Sequence, residues 1–179
     1  HNYFATEPSG AKYDKPIISN YKQPQPITYL TDDKGDECVD FIIRHKDEPF
    51  FLYASFNAPH TPMQATVEDL KLYSHIKDEK RRSYAAMVHR LDVNVGRMVE
   101  ELRKQGIYEN TVMVFFSDNG GPDTNNGSIN APYNGRKGIL LEGGIRVPFV
   151  ISYPKKLKSG FYNKPITALD LTPTFVELA

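Results

Sequence analysis

The sequence predicts an α/β fold with parallel strands, and three segments support that prediction. Two runs of β-branched and aromatic residues, 50–56 and 112–116, have the length and apolar content of buried strands. A long amphipathic helix is predicted between them, over about residues 80–104. A strand, a crossover helix and a second strand form a right-handed unit. The two strands are therefore expected to be parallel and to end at the same edge of the sheet.

The first predicted element is a helix that begins near Asp32 and ends before Pro49. The apolar positions that recur on one of its faces are Val39, Ile42 and Ile43. Residues 1–28 are rich in proline, glycine, lysine and tyrosine, which predicts an irregular, loop-rich segment. We therefore place the α/β domain over residues 29–179.

The helix predicted over residues 80–104 is the clearest in the chain. Its apolar residues recur at alternating spacings of four and three, which gives one continuous stripe. The stripe consists of Tyr84, Val88, Leu91, Val95, Met98 and Leu102. Gly106 is well placed to cap the C-terminus of this helix. We interpret the stripe as core packing and assign it no cofactor or partner.

The second apolar run is followed at once by Asp118-Asn119-Gly120-Gly121. In open α/β sheets, ligands bind at the carboxyl ends of strands. Asp118 and Asn119 offer oxygen donors, and the glycines allow the backbone to turn sharply and to approach a ligand closely. The pattern suggests a site for a hard cation or an anion. Asp-Asn-Gly is also common turn chemistry, so a plain turn remains an alternative.

The first apolar run ends in an unusual loop, in which His60 lies between Pro59 and Pro62. The two prolines stiffen the loop and limit the positions of the imidazole. A loop histidine of this kind is more often structural than catalytic. If the two strands are parallel, however, His60 and Asp118 face one crevice, and together they form a candidate site.

Lys137 lies in a loop between Gly135 and Gly138. A lysine between glycines can reach a bound oxyanion as a point charge, while the flexible backbone adjusts around it. The alternative is a solvated basic loop. The phosphate-binding pattern Gly-x-x-x-x-Gly-Lys-Ser/Thr is absent, so Lys137 does not belong to a P-loop.

The composition excludes several classes of protein. The 179 residues include 22 Lys and Arg against 22 Asp and Glu, so no overall field attracts nucleic acid or an anionic membrane. A single cysteine, Cys38, excludes an internal disulfide framework and a cysteine-rich zinc site. No stretch is long and apolar enough to span a bilayer.

A series of short motifs resembles the middle and later part of the catalytic domain of a type I sulfatase. In chain order they are Ala58-Pro59-His60-Thr61-Pro62, Leu91-Asp92 with Val95-Gly96, Asn110-Thr111 leading into Phe116-Ser117-Asp118-Asn119-Gly120-Gly121, Arg136-Lys137-Gly138 with Glu142-Gly143-Gly144-Ile145-Arg146-Val147-Pro148, and Asp170-Leu171-Thr172-Pro173-Thr174. The ordered series is highly specific and runs from about Tyr29 to the end of the chain. The resemblance implies the alkaline-phosphatase-like fold, a three-layer sandwich with a mostly parallel central sheet, here incomplete.

The resemblance also implies roles for individual residues. Asp118 and Asn119 match the pair that binds a calcium ion, and hard oxygen ligands suit Ca²⁺. His60 matches the histidine near the leaving oxygen of the sulfate ester, and Lys137 matches the lysine that contacts a sulfate oxygen. Glu142 and Arg146 belong to the glycine motif, and we expect them to be structural.

Other parts of the family's site are missing. The family's nucleophile is a formylglycine made within Cys/Ser-x-Pro-x-Arg. Cys38 lacks that context, and the closest imitation, which begins at Ser152, ends in lysine and follows the metal pair. The paired N-terminal aspartates that complete the calcium site are also missing. Asp32-Asp33 does not replace them, because it falls in the loop that opens a helix and no strand precedes it.

We therefore expect this chain to be a fragment of a larger enzyme, without turnover by itself. The implied activity is hydrolysis of a sulfate monoester of a carbohydrate or another small molecule. Family resemblance favours a periplasmic, secreted or lysosomal enzyme. Two alternatives remain: a phosphohydrolase or phosphonate hydrolase of the same superfamily, and a non-catalytic remnant that binds a partner or polysaccharide.

Overall fold

The computed structural model describes residues 28–178, so the predicted loop-rich segment lies outside the described residues except for Thr28. Within this range the helices are α1 (Leu30–His45), α2 (Val67–Leu72), α3 (Glu79–Lys104), α4 (Glu142–Ile145) and α5 (Leu171–Leu178). The strands are β1 (Met113–Phe116) and β2 (Phe149–Ser152). The mixture of helices and strands confirms the α/β class.

Helix α3 has the predicted bounds to within one residue, and both ends are capped. Asp78 precedes it, and its side-chain oxygen accepts a hydrogen bond from the backbone N–H of Arg81 at 2.7 Å. Gly106 follows it with a φ of 72°. The N–H groups of Gly106 and Ile107 donate to the carbonyls of Arg103 and Leu102, both at 3.0 Å. This pairing is the glycine cap expected from the sequence.

The buried face of α3 differs from the predicted stripe. Met98 and Leu102 are buried, but Val88 is 38% exposed, whereas Met87 and Asn94 are fully buried. A polar contact explains why α3 turns this face, and not the predicted one, toward the core. The Asn94 amide donates to the Asp32 carboxylate of α1 at 2.8 Å, and Gly35 of α1 leaves the space that the Asn94 side chain fills.

Helix α1 begins at Leu30, earlier than predicted. Asp32 and Asp33 therefore lie in its first turn rather than in a preceding loop, where their charges complement the helix dipole. Ile42 is fully buried, whereas Ile43 is 40% exposed, so the apolar face is narrower than the sequence suggested. Helices α1 and α3 enclose a core cluster of Cys38, Ile42, Met98 and Leu102.

Residues 50–56 are extended but pair with no strand within the described range. Every second side chain, beginning with Phe50 and ending with Phe56, packs against the core cluster of α1 and α3. Phe51 and Tyr53 point the other way and are 70% and 74% exposed. The ring of Phe51 meets that of Phe175 in α5, with 5.8 Å between the centroids. The predicted buried strand is therefore a segment with one buried face.

Strand β1 pairs with β2, and the pair is antiparallel, with Met113 opposite Ser152 and Phe116 opposite Phe149. The predicted parallel pairing with residues 50–56 is not present in the described part of the chain. The sheet is antiparallel because the chain leaves β1 in a long loop, 117–148, and returns beside it. This loop starts and finishes at one edge of the sheet, where the backbone N–H of Ser117 donates to the carbonyl of Pro148 at 3.3 Å.

None of the helices in residues 28–178 combines the length and the apolar character needed to cross a membrane.

Candidate functional site

Loop 117–148 is held together mainly by its own backbone. Gly120 N–H donates to the carbonyl of Gly144 at 2.9 Å, and Gly143 N–H donates to that of Asn134 at 2.7 Å. Lys137 N–H donates to the carbonyl of Gly121 at 3.1 Å. These bonds join the turn after β1 to the basic loop and to α4.

Glycine is required where these backbones meet. A Cβ atom at Gly120 would lie 1.8 Å from the carbonyl oxygen of Gly143, and one at Gly144 would lie 2.0 Å from that of Ile139. Both contacts are with backbone carbonyl oxygens, which cannot move aside as the end of a flexible side chain can. The glycines thus allow three segments of the loop to approach one another more closely than residues with a side chain would permit.

Asp118 and Asn119 lie on the turn directly after β1. The Asp118 side chain is exposed, and no hydrogen bond or ion pair is found for it among residues 28–178. The Asn119 amide nitrogen donates to the carbonyl of Gly120 at 3.1 Å, which leaves its side-chain oxygen as an acceptor. The pair therefore offers hard oxygen donors.

These donors fit Ca²⁺ in kind but not in number. Calcium takes about six to eight oxygen ligands. Within residues 28–178, no group of three or more His, Cys, Asp or Glu side chains is placed to hold a metal ion. Asp118 and Asn119 would therefore supply part of a coordination shell.

His60 is exposed, in a turn closed by its own N–H, which donates to the carbonyl of Asn57 at 2.8 Å. Its Nδ1 lies 2.7 Å from the carbonyl oxygen of Thr61. A carbonyl oxygen only accepts, so Nδ1 carries the proton and Nε2 presents its lone pair in the neutral ring. The loop thus fixes the tautomer of His60.

Lys137 and His60, which are 77 positions apart in sequence, meet at the site. The ammonium nitrogen of Lys137 lies 3.5 Å from Nε2 of His60. Both side chains are exposed, so a bound anion can reach the cation and the imidazole together. The structure therefore links His60 to the loop of Asp118 through Lys137 and the carbonyl of Gly121, and not through the parallel strands that were expected. The roles of the four residues in binding and catalysis stay predictions.

Asn130 is a site residue that the sequence did not single out. Its side chain bonds both the N–H and the carbonyl of Gly121, at 2.9 and 3.0 Å, and also the carbonyl of Gly135, at 3.3 Å. The available signal was weak: an asparagine, a residue type that pairs with backbone groups, lying between two glycine-rich motifs.

Glu142 and Arg146 form an exposed ion pair across one turn of α4, with 3.2 Å between the charged atoms. The Arg146 guanidinium also lies over the ring of Tyr133, 4.6 Å from its centroid. These contacts tie α4 to the loop that precedes it.

Neither Cys38 nor Ser152 is placed to act as a nucleophile at this site. Cys38 is buried in the core between α1 and α3, and this burial raises the pKa of its thiol. Ser152 pairs with Met113, so it lies at the end of the sheet opposite the loop that carries the site.

Comparison with known proteins adds three findings. A protein-family model described as Sulfatase matches residues 2–179. The chain is 32% identical over 173 residues to the uncharacterized sulfatase YdeN of Escherichia coli, covering 94% of this chain and 31% of that protein. It is 39% identical over 133 residues to mouse arylsulfatase J, covering 74% of this chain and 22% of that protein. The chain thus spans about a third or less of these relatives.

The crystal structure of Ps i-CgsB is similar over the whole of this chain, with a TM-score of 0.92 and 42% identity. The match covers 43% of the Ps i-CgsB chain. The same protein has also been solved in complex with k-i-k-neocarrahexaose, and that structure matches 99% of this chain with a TM-score of 0.92 and 41% identity.

Proposed function

This chain belongs to the sulfatase family, and we propose that it forms part of the catalytic domain of an enzyme that hydrolyses sulfate monoesters of a carbohydrate. One observation carries the proposal: the Lys137 ammonium and Nε2 of His60 lie 3.5 Å apart, next to the turn that holds Asp118 and Asn119. A cation, an imidazole and oxygen donors for a metal suit a sulfate ester. The carbohydrate substrate is supported by the complex of Ps i-CgsB with k-i-k-neocarrahexaose.

Lys137 binds a sulfate oxygen and stabilises the negative charge that develops as the ester bond breaks. Asp118 and Asn119 would hold a calcium ion, which when bound supplies further neutralisation of the sulfate charge. Asp118 and Lys137 are exposed, Asn119 is half-buried, and the glycine-rich backbone that carries them is closely packed. The site is therefore largely ordered before the substrate arrives.

His60 transfers a proton at the leaving oxygen. Its Nδ1 proton is held by the carbonyl of Thr61, so only Nε2 exchanges protons with the substrate. When Nε2 is protonated, it gives its proton to the ester oxygen as the bond from that oxygen to sulfur breaks, and the sugar leaves with a hydroxyl group. The imidazole returns to the neutral tautomer in which Nε2 accepts a hydrogen bond from Lys137.

The nucleophile, a formylglycine, and the remaining calcium ligands are proposed to lie in a part of the enzyme outside this chain. The match to 43% of Ps i-CgsB supports this division. The exposed face of residues 50–56 also supports this division. An extended segment that is buried on one face and largely exposed on the other is suited to lie in a larger, mostly parallel sheet between two helix layers. We propose that the chain alone has no turnover and that the whole enzyme works in the periplasm, in a lysosome or outside the cell.

The test uses the full-length enzyme with the single variants Lys137→Ala, His60→Ala and Asp118→Ala. The first two are expected to lower kcat/KM on a sulfated oligosaccharide about 100-fold or more. Asp118→Ala is expected to lower calcium content as well as rate. Lys155→Ala is the matched control, because Lys155 is an exposed lysine that bonds Asn110 at 3.0 Å, away from the site.

Unchanged rates and metal content in all three variants would reject the proposal in favour of a non-catalytic remnant. Higher activity of the wild-type enzyme on an aryl phosphate or phosphonate than on the matching sulfate would instead favour a phosphohydrolase.

A further inference from the structure

The backbone N–H and the carbonyl of Gly121 are both held by one side chain. The Asn130 side-chain oxygen accepts from the N–H of Gly121 at 2.9 Å, and the Asn130 amide nitrogen donates to the carbonyl of Gly121 at 3.0 Å. A carboxamide offers an acceptor and a donor side by side, so it pairs with the N–H and the carbonyl of one residue, as a residue of a neighbouring strand does. Asn130 thereby fixes the backbone that directly follows Asp118-Asn119-Gly120.

The same amide nitrogen reaches the loop that carries Lys137. It donates to the carbonyl of Gly135 at 3.3 Å, two residues before Lys137. The N–H of Lys137 itself donates to the carbonyl of Gly121 at 3.1 Å. The turn with the metal donors and the loop with the cation are therefore joined by the carbonyl of Gly121 and by the side chain of Asn130.

Asn130 stands on a segment that is anchored to α3. The Arg81 guanidinium donates to the carbonyl of Gly127 at 3.1 Å, and the buried hydroxyl of Ser128 accepts from the N–H of Asp123 at 2.9 Å. A Cβ atom at Gly127 would approach the backbone nitrogen of Arg81 to 2.7 Å, so this segment lies directly on the helix. The segment that carries Asn130 is thus anchored to α3 as well as to the two loops that Asn130 joins.

We propose that Asn130 is a positioning residue that holds the metal donors Asp118 and Asn119 in register with Lys137. Loss of its side chain weakens binding of the cation and of the oxyanion together, although Asn130 contacts neither. This inference rests on the proposed function of the site.

The experiment measures two constants on the full-length enzyme: the dissociation constant of Ca²⁺ without sulfate, and the inhibition constant of inorganic sulfate at saturating Ca²⁺. Asn130→Ala is expected to weaken both by about 10- to 100-fold, the usual cost of losing a side chain that orients ligands. Lys137→Ala is expected to weaken sulfate alone. Asp118→Ala is expected to weaken Ca²⁺ binding most strongly.

A double variant adds a measure that general destabilisation does not reproduce. If Asn130 acts by placing Lys137, then Asn130→Ala has little further effect on sulfate inhibition once Lys137→Ala is present, so the two changes are not additive. Asn110→Ala is the control. Asn110 is an exposed asparagine away from the site whose side-chain oxygen accepts from the ammonium group of Lys155 at 3.0 Å, and its loss is expected to change neither constant by more than about twofold.

The inference is overturned if Asn130→Ala lowers the melting temperature but leaves both constants at the wild-type values while Lys137→Ala and Asp118→Ala show their effects. If Asn130→Ala does not yield folded enzyme, Asn130→Ser, which cannot span both loops, is measured in the same way. If Lys137→Ala and Asp118→Ala also leave both constants unchanged, the proposed function fails, and this inference with it.

Discussion

The helical region, residues 29–104, and the site loop, 117–148, are stabilised by different kinds of atoms. The helical region is stabilised by contacts between side chains: apolar residues fill the core, and polar residues pair between helices. In the site loop, backbone groups bond to one another and glycines allow the close approach. The difference teaches that folding of the site loop does not use the Asp118 carboxylate, so it remains available to a ligand.

Asp69 and Asp118 illustrate this difference for the same residue type. Asp69 is 2% exposed, and its carboxylate accepts from Nε and Nη2 of Arg90 at 2.8 and 3.0 Å and from the Thr66 hydroxyl at 2.7 Å. Asp118 is exposed on its turn. A buried carboxylate must be paired within the protein, whereas an exposed carboxylate at a turn is solvated by water and can bind a cation.

The largest expected effect is on the helical region. Arg90→Ala removes the partner of a buried carboxylate, and the full-length enzyme is expected to lose about 3–5 kcal/mol of unfolding free energy. Denaturant unfolding measures this loss. Arg82→Ala is the matched control on the same helix, because Glu79, the ion-pair partner of Arg82, is exposed and the loss of that pair is expected to cost about 1 kcal/mol or less. Equal losses in the two variants would contradict the assignment of stability to buried side-chain pairs.

A smaller loss of stability, with a large loss of activity, is expected from the site loop. Gly120→Ala places a methyl group against the carbonyl of Gly143 and is expected to cost about 1–3 kcal/mol and to displace Asp118 and Asn119. Activity and calcium content at a temperature where the variant stays folded measure the displacement. Gly96→Ala, in α3 with open space around it, is the control and is expected to stabilise the enzyme by about 0.5–1 kcal/mol. Retained calcium content in Gly120→Ala would show that the loop adapts.

The smallest effect is confined to alkaline pH and concerns Tyr29, which packs in the helical region. Burial, together with the charges of Asp32 and Asp69, raises the pKa of this phenol from 10.0 to about 12. The folded state holds the proton more tightly than the unfolded state. Stability is therefore unaffected below pH 10 and falls by at most about 1.4 kcal/mol per pH unit between pH 10 and 12.

Urea unfolding from pH 9 to 11.5 measures this dependence. Tyr29→Phe is expected to flatten the alkaline fall, at the expense of the hydrogen bond that the phenol donates to the carbonyl of Gln64 at 3.0 Å. Tyr53→Phe, at a side chain that is 74% exposed, serves as the control and is expected to leave the fall unchanged. An unchanged slope in Tyr29→Phe would assign the alkaline loss to other groups.

Local features of the fold were predictable from the sequence. The 26-residue α3 follows from its apolar periodicity, and Gly106 follows from the need for a positive φ after the last turn. Loop chemistry made His60 and Lys137 candidates only, beside a structural and a solvated alternative, and the family resemblance supplied their roles, which stay predictions. Each of these signals lies within a few residues of the feature that it predicts.

Features that depend on distant pairing were not predictable. Val88 is partly exposed because Asn94 takes the central position against α1, and periodicity counts apolar residues only. The β1–β2 pair is antiparallel because the loop between them folds on itself, and apolar runs do not specify a partner. The role of Asn130 depends on two glycine carbonyls, which have no side-chain signature.

The bare side of residues 50–56 has a practical consequence for handling the protein. Phe51 and Tyr53 stand exposed on one face of an extended segment, so two large aromatic side chains are open to contact with another chain. At the concentrations used for expression, copies of this chain are expected to associate through this face. Coexpression with the proposed remainder of the enzyme, or Tyr53→Lys, is the rational route to a soluble preparation.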